Sequence, residues 1–479
     1  MSTSYLLAWL LPWAAGSGIC LALNRGLRRP GDLAAALGSG FVLGLFVAAG
    51  LASVVAAERT AEAFARTAPW LAAVGLIAWV AAFVFRDREK AFVPAGAIGV
   101  GWRIAWFLVL AAILLRLGLL ASEALLRPTF PWDAWSAWAV KPKAWFLLGH
   151  HVPYVPIQQW LAEPGVAERT SAIWDYPELL AWIEIWFASA IGSWNEPLIN
   201  VVWTGVLGAI GLASYGQWRA SGIRPGLAML LTYALLSLPL IDAHAALAGY
   251  ADLWLAAAFG LAVLGWLRWM RHREGGQLAL AWIFALAMPQ IKLEGSVWLI
   301  AFSLVMLLGV LPKRQRWWLV VAGGAAIALL IAMGGFKVPV LGLGWVHVTW
   351  GELVIPALGT LDLHWRSVGA AIVAGLLTLP NWHLLWYLVP VILVLRWPVL
   401  ARDGTTRSVA SLLGLCAAFL FVLFFFTDAS AWAENYTSTN RLILHVVPAL
   451  FTLLALLLAD LDPRPRDRVR ESPGRISPA

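Results

Sequence analysis

About 13 apolar runs recur along the 479 residues, each close to the ~20 helical residues that cross roughly 30 Å of hydrocarbon. They lie near residues 4–24, 33–56, 69–86, 98–122, 196–217, 226–243, 252–270, 276–290, 296–311, 316–334, 381–397, 408–426 and 441–460. Composition agrees, since hydrophobic residues make up 61% of the chain and charged residues 13%, against the ~25% charge of a typical soluble domain. The mean hydropathy is +0.78. The expected fold class is therefore an all-α polytopic membrane protein of about 13 transmembrane helices, with amphipathic juxtamembrane helices in its first large outer loop. An ordinary water-soluble domain is excluded.

Arginine and lysine in the short connections orient the spans, because positive residues stay cytoplasmic. Arg25, Arg28 and Arg29 follow the first span, Arg86, Arg88 and Lys90 the third, and Arg219 and Arg224 the fifth. Arg268, Arg271 and Arg273 follow the seventh, Lys313, Arg314 and Arg316 the ninth, and Arg396, Arg402 and Arg407 the eleventh. The C-terminus is thus expected in the cytoplasm, and residues 463–479 read as a disordered basic tail near anionic headgroups. The start lacks a positive n-region and reads as a retained span. The formal charge of +8 then reports loop orientation and membrane lipids, with no nucleic-acid partner implied. Cys20 and Cys416 sit in apolar runs, and no cysteine–histidine spacing suggests zinc.

On this topology five polar segments face outward: residues 123–195, 243–253, 290–295, 336–353 with its continuation to Trp382, and 427–441. The first contains FPWDAWSAWAVKPKAWF, residues 130–146. Wound at about 100° per residue, it puts Trp132, Trp135, Trp138 and Trp145 on one side and Asp133, Ser136, Lys141 and Lys143 on the other. Tryptophan suits a headgroup layer, an aspartate near a helix start is favoured by the dipole, and the two lysines could hold a phosphate. The plainer reading is an interfacial anchor with a capping aspartate and snorkelling lysines. A second aromatic, charged helix is expected from Pro177 to Ile191. Asp252 reads either as a site acid or as a cap on its span, Lys292 and Glu294 as site residues or a local ion pair, and Arg441 as an anion ligand or a snorkelling residue. His445, one turn below Arg441, reads as a core histidine or a proton shuttle. His150 and His151 read as loop residues, and Arg116 is expected to pair with Glu123 or to reach outward.

This order of features resembles the GT-C superfamily of integral-membrane glycosyltransferases, nearest to the protein mannosyltransferase and aminoarabinose transferase type. Asp133 matches that family's acidic residue in the first outer loop, and Asp175-Tyr176-Pro177-Glu178-Leu179 stands where relatives carry a His-Pro-Pro-Leu-like motif. Tyr250-Ala251-Asp252 resembles the acidic mouth of the fourth core span, and Lys292-Leu293-Glu294-Gly295 a Thr-Lys-Gly-Pro-like turn. The resemblance covers roughly residues 97–460. It divides the chain into an N-terminal three-helix addition (1–96), a catalytic membrane module (97–462) and the tail. Two departures are a single acid in WDAW where relatives often carry a pair, and Asp175 in place of a histidine.

The resemblance implies an enzyme that moves a hexose or pentose from a polyprenyl-phosphate donor to a lipid, glycan or protein acceptor on the outer face of a bacterial inner or plasma membrane. Asp133 would be the base of an inverting reaction. Lys141, Lys143, Asp175, Tyr176, Asp252, Lys292, Glu294 and Arg441 would bind substrate and phosphate. No cofactor is required; a divalent metal is compatible with the sequence but not demanded by it. The rival readings are a transporter or lipid flippase, which would place charges near the bilayer midplane, and an inactive assembly subunit.

Overall fold

The computed structural model describes residues 2–86, 100–162, 168–340, 344–349, 351–355 and 359–459. The expected tail at 463–479 lies outside them. The chain begins with α1 (Thr3–Asn24), α2 (Asp32–Val55), α3 (Ala63–Val84) and α4 (Val100–Leu126). Then come α5 (Val140–Leu148), α6 (Ile157–Ala162), α7 (Leu179–Ile191), α8 (Glu196–Ala220), α9 (Pro225–Leu236), α10 (Pro239–Ala246) and α11 (Asp252–His272). α12 (Gly275–Ile291), α13 (Glu294–Val310) and α14 (Lys313–Ala332) lead into four strands. The chain closes with α15 (Gly369–Val373), α16 (Leu385–Leu395), α17 (Trp397–Arg402), α18 (Gly404–Phe426), α19 (Ser430–Glu434) and α20 (Thr439–Leu458).

Among the described residues eight helices are long and apolar enough to cross a bilayer: α1, α2, α3, α4, α8, α11, α18 and α20. α9 and α10 make a ninth if their pair, bent by 61° at a break before Pro239, is one span. A proline at that point cannot continue the hydrogen-bond ladder of α9 and opens a new helix instead. The architecture is that of a multi-pass membrane protein. The other runs expected to cross fall on α12, α13, α14 and α16, of which α12, α13 and α16 are shorter apolar helices.

The sequence dictates several of these ends. The Ser2 side chain caps α1 by accepting from the Tyr5 amide at 3.3 Å, and Asn195 caps α8 from Leu198 at 3.1 Å. Asp32, in the first turn of α2, accepts from the amides of Arg28 and Arg29 at 2.7 Å each.

Packing inside the bundle relies on small residues, as helices in lipid require. α1 and α2 cross so closely that a Cβ on Gly16 would stand 1.9 Å from the Gly40 carbonyl oxygen, and one on Gly44 1.7 Å from that of Pro12. Gly44→Val is therefore expected to lower stability by about 1–3 kcal/mol, the usual cost of overpacking, read from thermal unfolding of the purified protein. Unchanged melting would mean that the two backbones do not meet there. α2 in turn lies on α8, with Gly38 against Ala209 and Ala213, so the first three helices are knit into the rest of the bundle. α11 and α20 form its axis. Every residue from Asp252 to Arg268 is buried, as is every residue from Leu442 to Leu457.

One element departs from the all-α expectation. β1 (Gly335–Val340), β2 (Gly344–Thr349), β3 (Glu352–Ile355) and β4 (Gly359–Asp362) form an antiparallel meander in that order, with Lys337 opposite His347 and Leu353 opposite Leu361. By sequence this stretch reads as an outer loop. β-branched and aromatic residues at alternating positions, as in GWVHVT, favour strands. Backbone bonds from His364 and Arg366 to the carbonyls of Phe426 and Phe425 tie the segment after the sheet to the end of α18.

Candidate functional site

The stretch containing Asp133 is not one continuous α-helix. Residues Ala134–Trp138 form a π turn, and α5 starts only at Val140. The wider turn shifts the phase of everything after it, which corrects the single tryptophan face expected from the sequence. Trp132 and Trp135 are exposed and meet edge to face, 4.7 Å between ring centres. Trp138 is buried against Tyr176, and Trp145 is fully buried beside Trp182, its indole donating to the Val152 carbonyl at 2.9 Å.

Four elements converge at one end of α11. The first residue of that helix, Asp252, is 0% exposed and accepts from three side chains. Lys292, in the turn between α12 and α13, donates to its Oδ1 at 2.9 Å, and His445 of α20 reaches the same oxygen at 2.8 Å through Nε2. Arg441, also of α20, donates through Nε to Oδ2 at 2.9 Å, with Nη2 at 2.8 Å. The other guanidinium nitrogen of Arg441, Nη1, pairs with Asp133 Oδ2. Its planar fork suits it to bridge two carboxylates at once. The same guanidinium lies 4.5 Å from the centre of the Tyr250 ring.

Exposure rises along this chain of contacts, from 0% at Asp252 through 17% at Arg441 to 40% at Asp133. A buried anchor thus presents a carboxylate to the surface. Lys292 also pairs with Glu294 at 3.0 Å. The five charged groups comprise three carboxylates and two cations, so the cluster carries a surplus of one negative charge when all are ionised.

Hydrogen-bond geometry fixes both histidines. The Trp298 indole, a donor only, meets His445 Nδ1 at 3.1 Å, which leaves the proton of neutral His445 on Nε2, facing Asp252. His244 of α10 directs Nδ1 at the Leu240 carbonyl, 2.8 Å away, so its Nε2 carries a lone pair. That nitrogen is buried 3.9 Å from Asp252 Oδ2. Among the described residues neither it nor Glu294 Oε2 has a hydrogen-bond partner.

Asp133, Asp252, Lys292, Glu294 and Arg441 therefore come together. Tyr176 stands within their field: burial pushes its phenol up to about 12, Glu294 adding to the effect and Lys292 opposing it, so it stays protonated. The two lysines of α5 do not join them. Lys141 is buried and donates to the carbonyls of Trp174 and Tyr176 at 2.9 and 2.8 Å, which makes it a clamp on the loop carrying Asp175. Burial pulls its pKa below the ordinary lysine range, against the opposing pull of Glu178 and Asp175. Lys143 pairs with Glu196 at 2.9 Å, and Asp175 itself is exposed.

Other sequence expectations change as well. Arg116 pairs with Asp242, not with Glu123, which instead holds Arg127 at 3.2 Å. His150 and His151 do lie in the loop after α5, where His151 reaches Glu178 at 3.1 Å and stacks on Trp182. Sequence reasoning misses His244 and Trp298 altogether; the only signal is that His244 precedes Asp252 in the polar segment 243–253.

No three His, Cys, Asp or Glu side chains among the described residues form a group that could hold a metal ion. Comparisons with family models, with curated proteins and with solved structures give no match for the chain.

Proposed function

We propose that the protein is a membrane glycosyltransferase of GT-C type, transferring a sugar from a polyprenyl-phosphate donor to a lipid, glycan or protein acceptor at the outer face. The observation that carries this reading is the Asp133–Arg441–Asp252 chain, in which a partly exposed carboxylate is held by a cation that is itself anchored on a buried carboxylate. A donor phosphate competes with Asp133 for the outer guanidinium nitrogens of Arg441. Once displaced, Asp133 accepts the proton of the acceptor hydroxyl. The acceptor oxygen then bonds to the anomeric carbon, the bond from that carbon to the phosphate oxygen breaks, and polyprenyl phosphate leaves against Arg441 and Lys292. The lone pair of His244 Nε2 and the unpartnered Glu294 Oε2 suit the hydroxyl donors of a sugar.

The reading takes α12, α13, α14, α16 and the bent pair as crossings too, about 13 spans in all, with the arginine-rich ends of the helices in the cytoplasm. Gathering of the charged site at the mouth of α11 favours an enzyme acting on a headgroup over a transporter or flippase with midplane sites. The test is turnover. Purified protein in lipid nanodiscs, given polyprenyl-phosphate sugars and an acceptor extract, is expected to release free polyprenyl phosphate with time. No turnover of any such donor, with solute or lipid flux in proteoliposomes instead, would overturn it.

A further inference from the structure

The far end of α11 holds a second, unrelated arrangement. Arg268 is about 24 Å along the helix from Asp252, at 1.5 Å per residue. It is 1% exposed and pairs with Asp32 at 2.7 Å and with Glu274 at 2.5 Å. Beside this buried network opens a cavity of about 1090 Å³, between the ends of α1 and α3 and the start of α12. Arg25, Arg28, Arg29 and Arg273 line it, and Glu274 is its one carboxylate among the described residues. That carboxylate is already held by Arg29 and Arg268. Among the described residues, four guanidinium groups thus line a wall with one carboxylate.

Three further observations give the charge a purpose. Arg25 and Arg273 both adopt left-handed backbone, with φ of 53° and 54°. Each is the left-handed residue that closes its helix, a place glycine takes without cost, so an arginine there carries a local strain. Gly275 and Gly276 line the same cavity and open α12, where first-turn amides lack intrahelical partners and the dipole favours an anion. His272, also in the wall, has a buried Nε2 with no hydrogen-bond partner among the described residues. Phe85, an exposed aromatic just after α3, also lines the cavity.

We propose that this cavity binds a phosphate group, presented either by an anionic lipid headgroup entering past Phe85 or by a free phosphate. Guanidinium groups supply bidentate donors for it, and the helix start supplies amides. The site is independent of the carboxylate cluster at the other end of α11.

The test uses the full chain in detergent, titrated separately with dioleoylphosphatidylglycerol, dioleoylphosphatidylcholine and inorganic phosphate, with bound species counted by native mass spectrometry. Saturable binding of phosphatidylglycerol over phosphatidylcholine assigns the site to a lipid headgroup. Saturable binding of inorganic phosphate without lipid preference assigns it to a soluble phosphate. In either case R25N/R273N is expected to weaken binding at least tenfold, and added salt to weaken it in the wild type. Asparagine tolerates the left-handed region, and R25G/R273G removes the same guanidinium groups while relaxing the backbone, so a folded variant is available. Binding by neither ligand, or equal binding by both variants and the wild type, would refute the site.

Discussion

Asp252→Ala is expected to cost about 3–5 kcal/mol of stability, the range found when one partner of a buried ion pair is removed. The carboxylate is 0% exposed and its two oxygens are taken by Lys292, Arg441 and His445. Without it, two cations and an imidazole N–H face one another with no anion between them. Glu294 still holds Lys292 and Asp133 still holds Arg441, yet both sit nearer the surface. Asp252→Asn keeps the volume and one acceptor oxygen, so its loss falls between alanine and wild type. Thermal unfolding of the purified variants measures the order, and an Asp252→Ala protein that melts with the wild type would remove Asp252 as the anchor.

Asp133→Asn is expected to do the opposite, sparing the fold and removing the proposed sugar transfer. Its carboxylate is 40% exposed and pairs only at the rim, where an ion pair contributes about 0–1 kcal/mol. A general base commonly contributes about 10²–10⁴-fold to rate, and an amide has no basic oxygen to replace it. Donor turnover should therefore fall by that factor while the melting temperature stays close to wild type. An Asp133→Asn variant that releases polyprenyl phosphate as fast as the wild type would end the proposal of Asp133 as base, while leaving the buried part of the cluster untouched.

Much of the site is readable in the sequence because charge near a bilayer is costly and therefore rarely idle. Asp133, Asp252, Lys292 and Arg441 stand out in this way, and they meet. Lys141 and Lys143 stand out equally and do not. Their fate depends on carbonyls and a carboxylate 33 to 53 residues away, which no local pattern encodes. A helical wheel also assumes an unbroken period, and the π turn at Ala134–Trp138 breaks it. The strands of 335–362 are hidden differently: their alternation is present, but an apolar chain full of helices makes loop the natural reading of a polar interval. The count of spans is the softest part, because apolar helices of 11 to 17 residues such as α16, α12 and α13 fall below the length that composition alone can interpret.

The burial of α11 has a consequence for how the protein is made. Its first carboxylate finds Lys292 after 40 further residues, but Arg441 only after 189. At the ~5–20 residues per second of synthesis, the interval between the two lasts roughly 7–30 s. Through it the nascent chain holds the acid at the mouth of α11 against a single lysine, and the ribosome must reach α20 before Arg441 joins it. A messenger truncated ahead of Asn440 would therefore yield a chain with its central helix inserted but never locked, the form that membrane quality control is built to remove.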